Sequence, residues 1–558
     1  MKPHWTLLSP APSASRIAAE LDIHPAIASI LLRRGLHTPS EISDFLDPSL
    51  SSLQDPFVFQ DMDKAVRRIR RAIADREKIL VYGDYDVDGV TGSAVLYPAL
   101  KKMGAQVEVH IPHRIQEGYG LNRETLGRLA EKGLGLVITV DNGITGVEQI
   151  RFLVSRGVDV IIVDHHTPKG EIPPAYAILS AAVGEKKGDP NLAACGVAFK
   201  LAWALLGDLE SVRACLDLVA LGTVADLAPV LGDNRVLLKH GLPELSRSKR
   251  PGLAALMKVA RISRRHVSYR DIAFGLGPRI NASGRMGSPL HAFELLTTDS
   301  EETAARLAKL LDDGNRERQR VEAEAFEQAV ERVRADFSGP SEHPVLVLHH
   351  PQWHEGVLGI VAARLVERFQ KPSIVISMKD RVGKGSGRSL PQFSLFDCVL
   401  KCENLLESFG GHAQACGLTI REENIDEFRR RVNQSALETS ALSVRAALEI
   451  EGELALGELD LKFLKDLERL APFGPGNKKP LFLSKGLKVK GEAKKRGKDT
   501  LVCWMTDAGG QNTCEAIGFR AFSRWNASSE RQRDIVHRPS LRESDGIASI
   551  QLELEDWI

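Results

Sequence analysis

The run Lys78-Ile79-Leu80-Val81-Tyr82-Gly83-Asp84-Tyr85-Asp86-Val87-Asp88-Gly89 joins an apolar stretch to three acids at alternate positions. Four consecutive apolar residues read as a buried strand, and the glycine and acids behind them as a strand-to-helix turn. The same pattern recurs outward from it: Val107 to Ile111, Leu136 to Val140, Val158 to Val163 and Tyr176 to Leu179 read as strands separated by helical patterns. Alternating strands and helices imply a mostly parallel sheet covered on both faces. In such a sheet the strand C-termini share one edge, where ligands bind. That edge collects Asp86 and Asp88 after the first strand, Asp141-Asn142-Gly143 after the third and Asp164-His165-His166 after the fourth.

Helix capping explains one aspartate at a turn, not three. Three like charges within five residues, with no Lys or Arg among them, are relieved by a divalent cation or by solvent. Asp226, in Gly222-Thr223-Val224-Ala225-Asp226, follows an apolar helical run and sits at a helix end whose dipole disfavours negative charge. Oxygen-rich ligands with one or two imidazoles suit Mn²⁺ or Mg²⁺ better than zinc. Two such ions, roughly 3.5 to 4 Å apart and sharing a carboxylate, support in-line phosphoryl displacement. The chemistry implied is phosphoester hydrolysis.

Farther out, the chain divides by composition. Residues 1–50 read as a helical appendage, 51–298 as the main α/β domain, 299–338 as a charged connecting helix, 339–442 as a smaller α/β domain and 443–558 as a β-barrel entered through a hinge at Pro472-Phe473-Gly474-Pro475-Gly476. The 558 residues carry 74 Lys plus Arg against 73 Asp plus Glu, which argues against a uniformly basic nucleic-acid coat. Two local runs depart from that balance. Arg247 to Arg270 holds eight Lys or Arg and no acid, and Lys485 to Lys498 holds seven against Glu492 alone. The seven scattered cysteines argue against a disulfide framework, and the lack of a long uncharged apolar run or signal peptide leads us to expect a cytoplasmic protein.

Asp86-Val87-Asp88, Asp141-Asn142-Gly143, Asp164-His165-His166 and Gly222 to Asp226 resemble the four motifs of the DHH phosphoesterases. Trp353 to Gly359, Gly385 to Ser389 and Phe409 to His412 resemble the DHHA1 domain of that superfamily. Pro112 to Gly120, Gly277 to Arg285 and Phe473 to Asn477 narrow the likeness to the RecJ family of single-strand-specific 5′-to-3′ DNA exonucleases, whose last domain is OB-like. The resemblance implies two Mn²⁺ or Mg²⁺ ions. Asp88, Asp141, His165 and Asp226 would hold one, and Asp86 and bridging Asp141 the other, with Asp84 a candidate outer ligand and His166 on the scissile phosphate. Tyr82 stands where related pyrophosphatases have a histidine, which implies a weaker second site. Arg114, Arg285 and Arg388, with Ser386, resemble phosphate and 5′-end contacts. Arg279, Asn281, Ser283, His354, Ser389, Gly410, Gly411 and His412 complete the implied substrate-binding set. Trp504, Phe519 and Trp525 are candidate base platforms in the barrel. The implied substrate is single-stranded DNA and the implied partners are a RecQ-type helicase and a single-stranded-DNA-binding protein, with a monomeric chain off the membrane. Two other readings are weighed beside it: an oligoribonuclease or cyclic-dinucleotide phosphodiesterase with an added nucleic-acid-binding domain, and a non-cutting scaffold, which would be expected to lack ligands that are all present here.

Overall fold

The computed structural model describes residues 5–114, 116–118, 120–168, 170–185, 188–336, 343–438, 447–526, 532–544 and 547–558. Ile115 and Tyr119 of the Pro112 to Gly120 motif, the last two positions of the expected 299–338 helix and the expected boundary at 442 lie outside them. The chain forms two compact units. One spans Gln54–Ala228 and His240–Val444, the other Met1–Leu53, Pro229–Lys239 and Arg445–Ile558.

The first unit opens on a wholly parallel sheet in the order Gln106–His110, Lys78–Gly83, Leu134–Val140, Asp159–Val163, Ala177–Leu179. Its strands are Val- and Ile-rich because both faces are covered; Val137, Val160 and Ile162 on one face meet Leu126, Ile150 and Leu153 from the flanking helices. From Lys78–Gly83 the chain adds one neighbour on one side and then moves to the other, so Asp84 and Asp141 leave adjacent strands at the reversal of order. Helices Val87–Lys102, Ala194–Leu206 and Leu216–Ala225 pack against each other behind that edge. Their approach depends on Gly222, where a Cβ would come within 2.3 Å of Thr91 Oγ1 and 2.6 Å of Cys195 Sγ.

Helix Glu301–Asp336 then leads to a second, mixed sheet ordered Leu406–His412, Ala415–Arg421, Val382–Arg388, Ser373–Lys379, Leu346–His350. Only Leu346–His350 and Ser373–Lys379 run parallel, as the expected smaller α/β domain requires; the other three strands are antiparallel. Val382–Arg388 carries glycine at alternate positions, and a Cβ on Gly383 or Gly385 would press within 2.8 Å of Ile376 or Leu418. Glycine is used there to bring neighbouring side chains close, which hides the strand from any propensity argument.

In the other unit, strands Phe482–Arg496, Thr500–Thr506, Thr513–Gly518, Ile547–Trp557 and Gln532–Ser544 close into a five-stranded barrel through the pairing of the first with the last. The N-terminal helices read as an appendage share its core: Ile17, Ile27, Ile30 and Leu31 cluster with Leu464, Leu467 and Phe482. The Pro472 to Gly476 segment is pinned, where a hinge was expected. Val230 donates its amide to the Pro475 carbonyl at 2.8 Å, and buried Asn477 donates to the carbonyls of Leu470 and Pro472, both at 2.8 Å. Trp525 also departs from expectation, being buried against Trp557 and under Arg533 while Trp504 and Phe519 stay half exposed. No helix among the described residues is long and apolar enough to cross a membrane.

Candidate metal centre

Backbone geometry brings the acids together. Asp86 caps helix Val87–Lys102, its Oδ1 accepting from the amides of Asp88 at 2.9 Å and Gly89 at 3.2 Å. Gly89 admits no side chain, since a Cβ would lie 2.4 Å from the Asp84 backbone nitrogen. Asp141 turns into the left-handed region at φ 64°, a conformation aspartate tolerates better than most residues. Asn142 holds that turn by donating its amide to the carbonyls of Tyr82 and Val140.

Three groups of ligand atoms result, each with its members within 4.8 Å of one another: Asp88, His165 and Asp226; Asp84, Asp86 and Asp141; and Asp141, His165 and His166, whose Asp141 and His165 tie the first two together. His165 Nε2 lies 3.3 Å from Asp141 Oδ1 and 3.9 Å from both Asp88 Oδ2 and Asp226 Oδ2, so Asp141 faces the first two groups. The buried atoms Asp84 Oδ1, Asp141 Oδ1 and His165 Nε2 make no hydrogen bond, which leaves each able to take a cation. Burial and the neighbouring Asp86 push Asp84 well above the usual carboxylate range, and burial with Asp86 and Asp88 does the same to Asp141. Burial raises Asp88, and burial with Asp88 and Asp86 takes Asp226 to about 8. This concentrated negative charge, with three orphaned buried ligand atoms, fits a pair of hard divalent cations.

Asp164 plays a different part. Its Oδ1 accepts from the amides of His165 and His166 and from His166 Nδ1 at 2.8 Å, and its Oδ2 accepts from the Ile144 amide at 3.0 Å. Burial opposes ionisation of both partners, but the pair prevails: Asp164 falls below its ordinary value and His166 rises to about 9. Asp164 therefore orients His166. Tyr82 is buried with its hydroxyl accepting from the Asn122 amide at 3.2 Å and facing the Gly120 carbonyl.

Two backbone groups escaped sequence reasoning. The amides of Ala194 and Cys195, at the start of helix Ala194–Leu206, donate to the two oxygens of Asp88 at 2.7 and 2.9 Å. A main-chain donor leaves no residue signature beyond the Ala193-Ala194-Cys195-Gly196 sequence, whose small side chains admit the approach.

Of the expected substrate contacts, Arg285 and Arg388 are largely buried and form a positive cluster with Arg114. Burial and the nearby Arg114 depress both guanidiniums, Arg285 to about 10. Arg114 lies over the Tyr85 ring at 4.9 Å, Arg285 donates to the Gly356 carbonyl at 2.9 Å, and Arg388 donates to Ser386 Oγ at 3.2 Å. Gly359 leaves room for them, since a Cβ would sit 2.9 Å from Arg388 Nη2. Asn281 Oδ1 accepts from the Val87 amide at 3.2 Å and so braces the acidic turn. The structure spends other candidates locally. Arg279 forks onto Asp312 at 2.8 and 2.9 Å, Ser283 donates to the Ile280 carbonyl, Ser389 to the Phe393 carbonyl, and His354 caps the Gly356 amide. Gly410, Gly411 and His412 lie in the hairpin of Leu406–His412 and Ala415–Arg421; Gly411 has φ 148° and leaves only 2.2 Å between a Cβ and the Ala415 carbonyl, and His412 is exposed.

Residues 78–223 match the DHH family, N-terminal domain, residues 342–438 the DHHA1 domain and residues 450–556 the RecJ OB domain. The chain is 33% identical to the single-stranded-DNA-specific exonuclease RecJ of Dickeya dadantii, over 97% of this chain and 98% of that one. It is 35% identical to the protein of that name in Bacillus subtilis, over 93% of this chain and 66% of the longer relative. The crystal structure of Thermus thermophilus RecJ in complex with Mn²⁺ superposes with a TM-score of 0.85 at 29% identity, covering 100% of this chain and 79% of that one.

Proposed function

The chain belongs to the RecJ family, and from that premise we propose that it is an exonuclease specific for single-stranded DNA, releasing mononucleotides from the 5′ end by metal-assisted phosphodiester hydrolysis. The observation that carries the chemistry is that ligand atoms of Asp84, Asp86, Asp88, Asp141, His165 and Asp226 gather in overlapping groups, with Asp84 Oδ1, Asp141 Oδ1 and His165 Nε2 buried and without hydrogen bonds. On this reading Asp88, Asp141, His165 and Asp226 hold one divalent cation and Asp86 and Asp141, with Asp84 beside them, hold the other. Mn²⁺ or Mg²⁺ in such a pair supplies a nucleophile at neutral pH and offsets charge on the attacking and leaving oxygens.

The rest falls to side chains. The Ala194 and Cys195 amides fix Asp88 in one orientation. His166, held through Nδ1 by Asp164, would present its imidazole to a phosphate oxygen. Among the described residues Arg114, Arg285 and Arg388 form no ion pair, and their cluster would receive the terminal 5′-phosphate.

A digest of single strands labelled at either end, with Mn²⁺ or Mg²⁺ beside a duplex control, tests this reading. Loss of label from the 5′ end of single strands alone is the expected result; hydrolysis confined to dinucleotides would favour the oligoribonuclease or cyclic-dinucleotide alternative, and equal attack on duplex would overturn the single-strand specificity. We further propose roles in DNA repair and recombination, a RecQ-type helicase and a single-stranded-DNA-binding protein as partners, a monomeric state and a cytoplasmic location; co-purification, sedimentation and cell fractionation test these.

A further inference from the structure

The basic run Arg247 to Arg270 has no part in the chemistry above. Two of its eight cations act inside the fold. Arg250 pairs with buried Asp217 at 3.1 Å, Ser248 donates to the same carboxylate at 2.7 Å, and Arg264 donates to the Ser248 carbonyl. These bonds tie the run to helix Leu216–Ala225, whose end carries Asp226. The other six, Arg247, Lys249, Lys258, Arg261, Arg265 and Arg270, are exposed.

Among the described residues none of these six has a carboxylate partner. Some exposed arginines elsewhere are paired, as Arg320 with Glu317 and Glu324 and Arg430 with Glu427, and others such as Arg76 and Arg306 are not. What sets this run apart is that it holds eight cations and no acid, a local excess of positive charge that favours an anionic partner.

The run ends at the acidic rim. Tyr269 has a buried hydroxyl without a hydrogen bond, close enough to Asp226 to feel its charge. The π-helical turn Ile272–Leu276 follows, and Gly277 packs against Ala225, with 3.3 Å from a Cβ to the Ala225 Cβ. On that turn Phe274 is 77% exposed, with the Arg270 guanidinium 5.9 Å from its ring centre. An exposed aromatic flanked by arginine, continuous with the reactive centre, suits a nucleic acid strand better than an acidic peptide.

We propose that the face bearing Arg247, Lys249, Lys258, Arg261, Arg265 and Arg270 is a sugar-phosphate track that holds the part of a single strand lying beyond the nucleotide at the metal centre. This rests on the hydrolase reading for its orientation, not for its chemistry. The track adds affinity with strand length and reads no sequence, because its contacts are to phosphates.

The test uses the full chain and a Lys258→Gln/Arg261→Gln/Arg265→Gln variant with 6- and 30-nucleotide single strands. Fluorescence anisotropy across a KCl series gives the salt slope, and KM is measured for both lengths. Loss of three contacts should flatten the logarithmic slope for the 30-mer by about 2, at about 0.7 per phosphate, and raise its KM relative to that of the 6-mer. Lys258→Arg/Arg261→Lys/Arg265→Lys, which keeps the charge, should restore both. An unchanged slope and length preference in the glutamine variant would overturn the track. A wild-type chain that binds the 30-mer with a slope lost in the glutamine variant, yet cuts no strand, would overturn the hydrolase reading and still support the track.

Discussion

The Cys195 amide donates a 2.9 Å hydrogen bond to Asp88 Oδ1, while the preceding amide takes Oδ2, so a residue assigned to metal binding also satisfies a buried helix start. Asp88→Ala should abolish hydrolysis and also destabilise the metal-free protein, because it leaves two buried N–H groups unpaired at about 1 to 3 kcal/mol each. Urea unfolding without metal checks the second effect: an unchanged midpoint would show that the amides find other partners.

Asp141→Asn should do the opposite. Asp141 is pressed by Asp84, Asp86 and Asp88, its Oδ1 lacks a hydrogen bond, and asparagine accepts φ 64° well. Neutralising it removes repulsion, so the metal-free melting temperature should rise by a few degrees, on the order of 1 kcal/mol, while Mn²⁺-dependent turnover disappears. Retained turnover would remove Asp141 from the shared position between the two ligand groups.

The two neighbouring histidines are separable. His165 Nε2 points among Asp88, Asp141 and Asp226, whereas His166 is bound by Asp164. His165→Ala should lower both bound Mn²⁺ and turnover, and His166→Ala should lower turnover about 100-fold or more at near-normal occupancy. Equal metal loss in both, by metal analysis after dialysis, would contradict the division.

These contrasts mark where sequence reasoning reached and where it stopped. Apolar runs such as Val137 to Val140 announce buried strands, and parallel topology alone puts Asp86, Asp141 and His165 on one rim. What escaped depends on partners remote in the chain. The pairing of Arg279 with Asp312 leaves no mark in the local sequence, and Trp525 resembles a base platform until Trp557 covers it. Glycines 383, 385 and 387 disguise a strand whose neighbours crowd it, and Ile17 to Leu31 look like an appendage because their partners lie more than 400 residues away.

His537 gives the barrel an acid-sensitive core. Ser484 Oγ donates to the Leu454 carbonyl at 2.6 Å and therefore accepts from His537 Nε2, leaving a neutral ring whose burial lowers its pKa to about 3. The unfolded chain protonates near 6.5. Below that pH the unfolded state binds a proton that the folded state refuses, so this contribution is complete above about 6.5 and is lost progressively down to about 3. The slope approaches about 1.4 kcal/mol per pH unit for one proton. Unfolding of the barrel unit should therefore become easier from pH 7 to pH 5, and less steeply in His537→Gln. Identical slopes would assign the acid sensitivity elsewhere.

Deleting residues from 445 onward is not a clean test of strand binding, because the N-terminal helices would lose the core they share with Leu464 and Phe482. Point substitutions avoid this. Lys490 lies directly opposite Trp504 across Phe482–Arg496 and Thr500–Thr506, with Lys488 opposite Thr506 and Lys494 opposite Val502, and Trp504 is 52% exposed. Lys485 is excluded, as it pairs with Glu453 at 2.7 Å. Replacing Lys488, Lys490, Lys494 and Lys495 by Gln should weaken binding of long single strands and flatten the salt slope by up to about 0.7 per lysine that meets a phosphate. Trp504→Ala should cost about 1 to 3 kcal/mol of binding with the slope unchanged, since base stacking releases no counterions. A tryptophan variant that flattens the slope, or a lysine variant that leaves it intact, would show that the strand does not cross this face of the barrel.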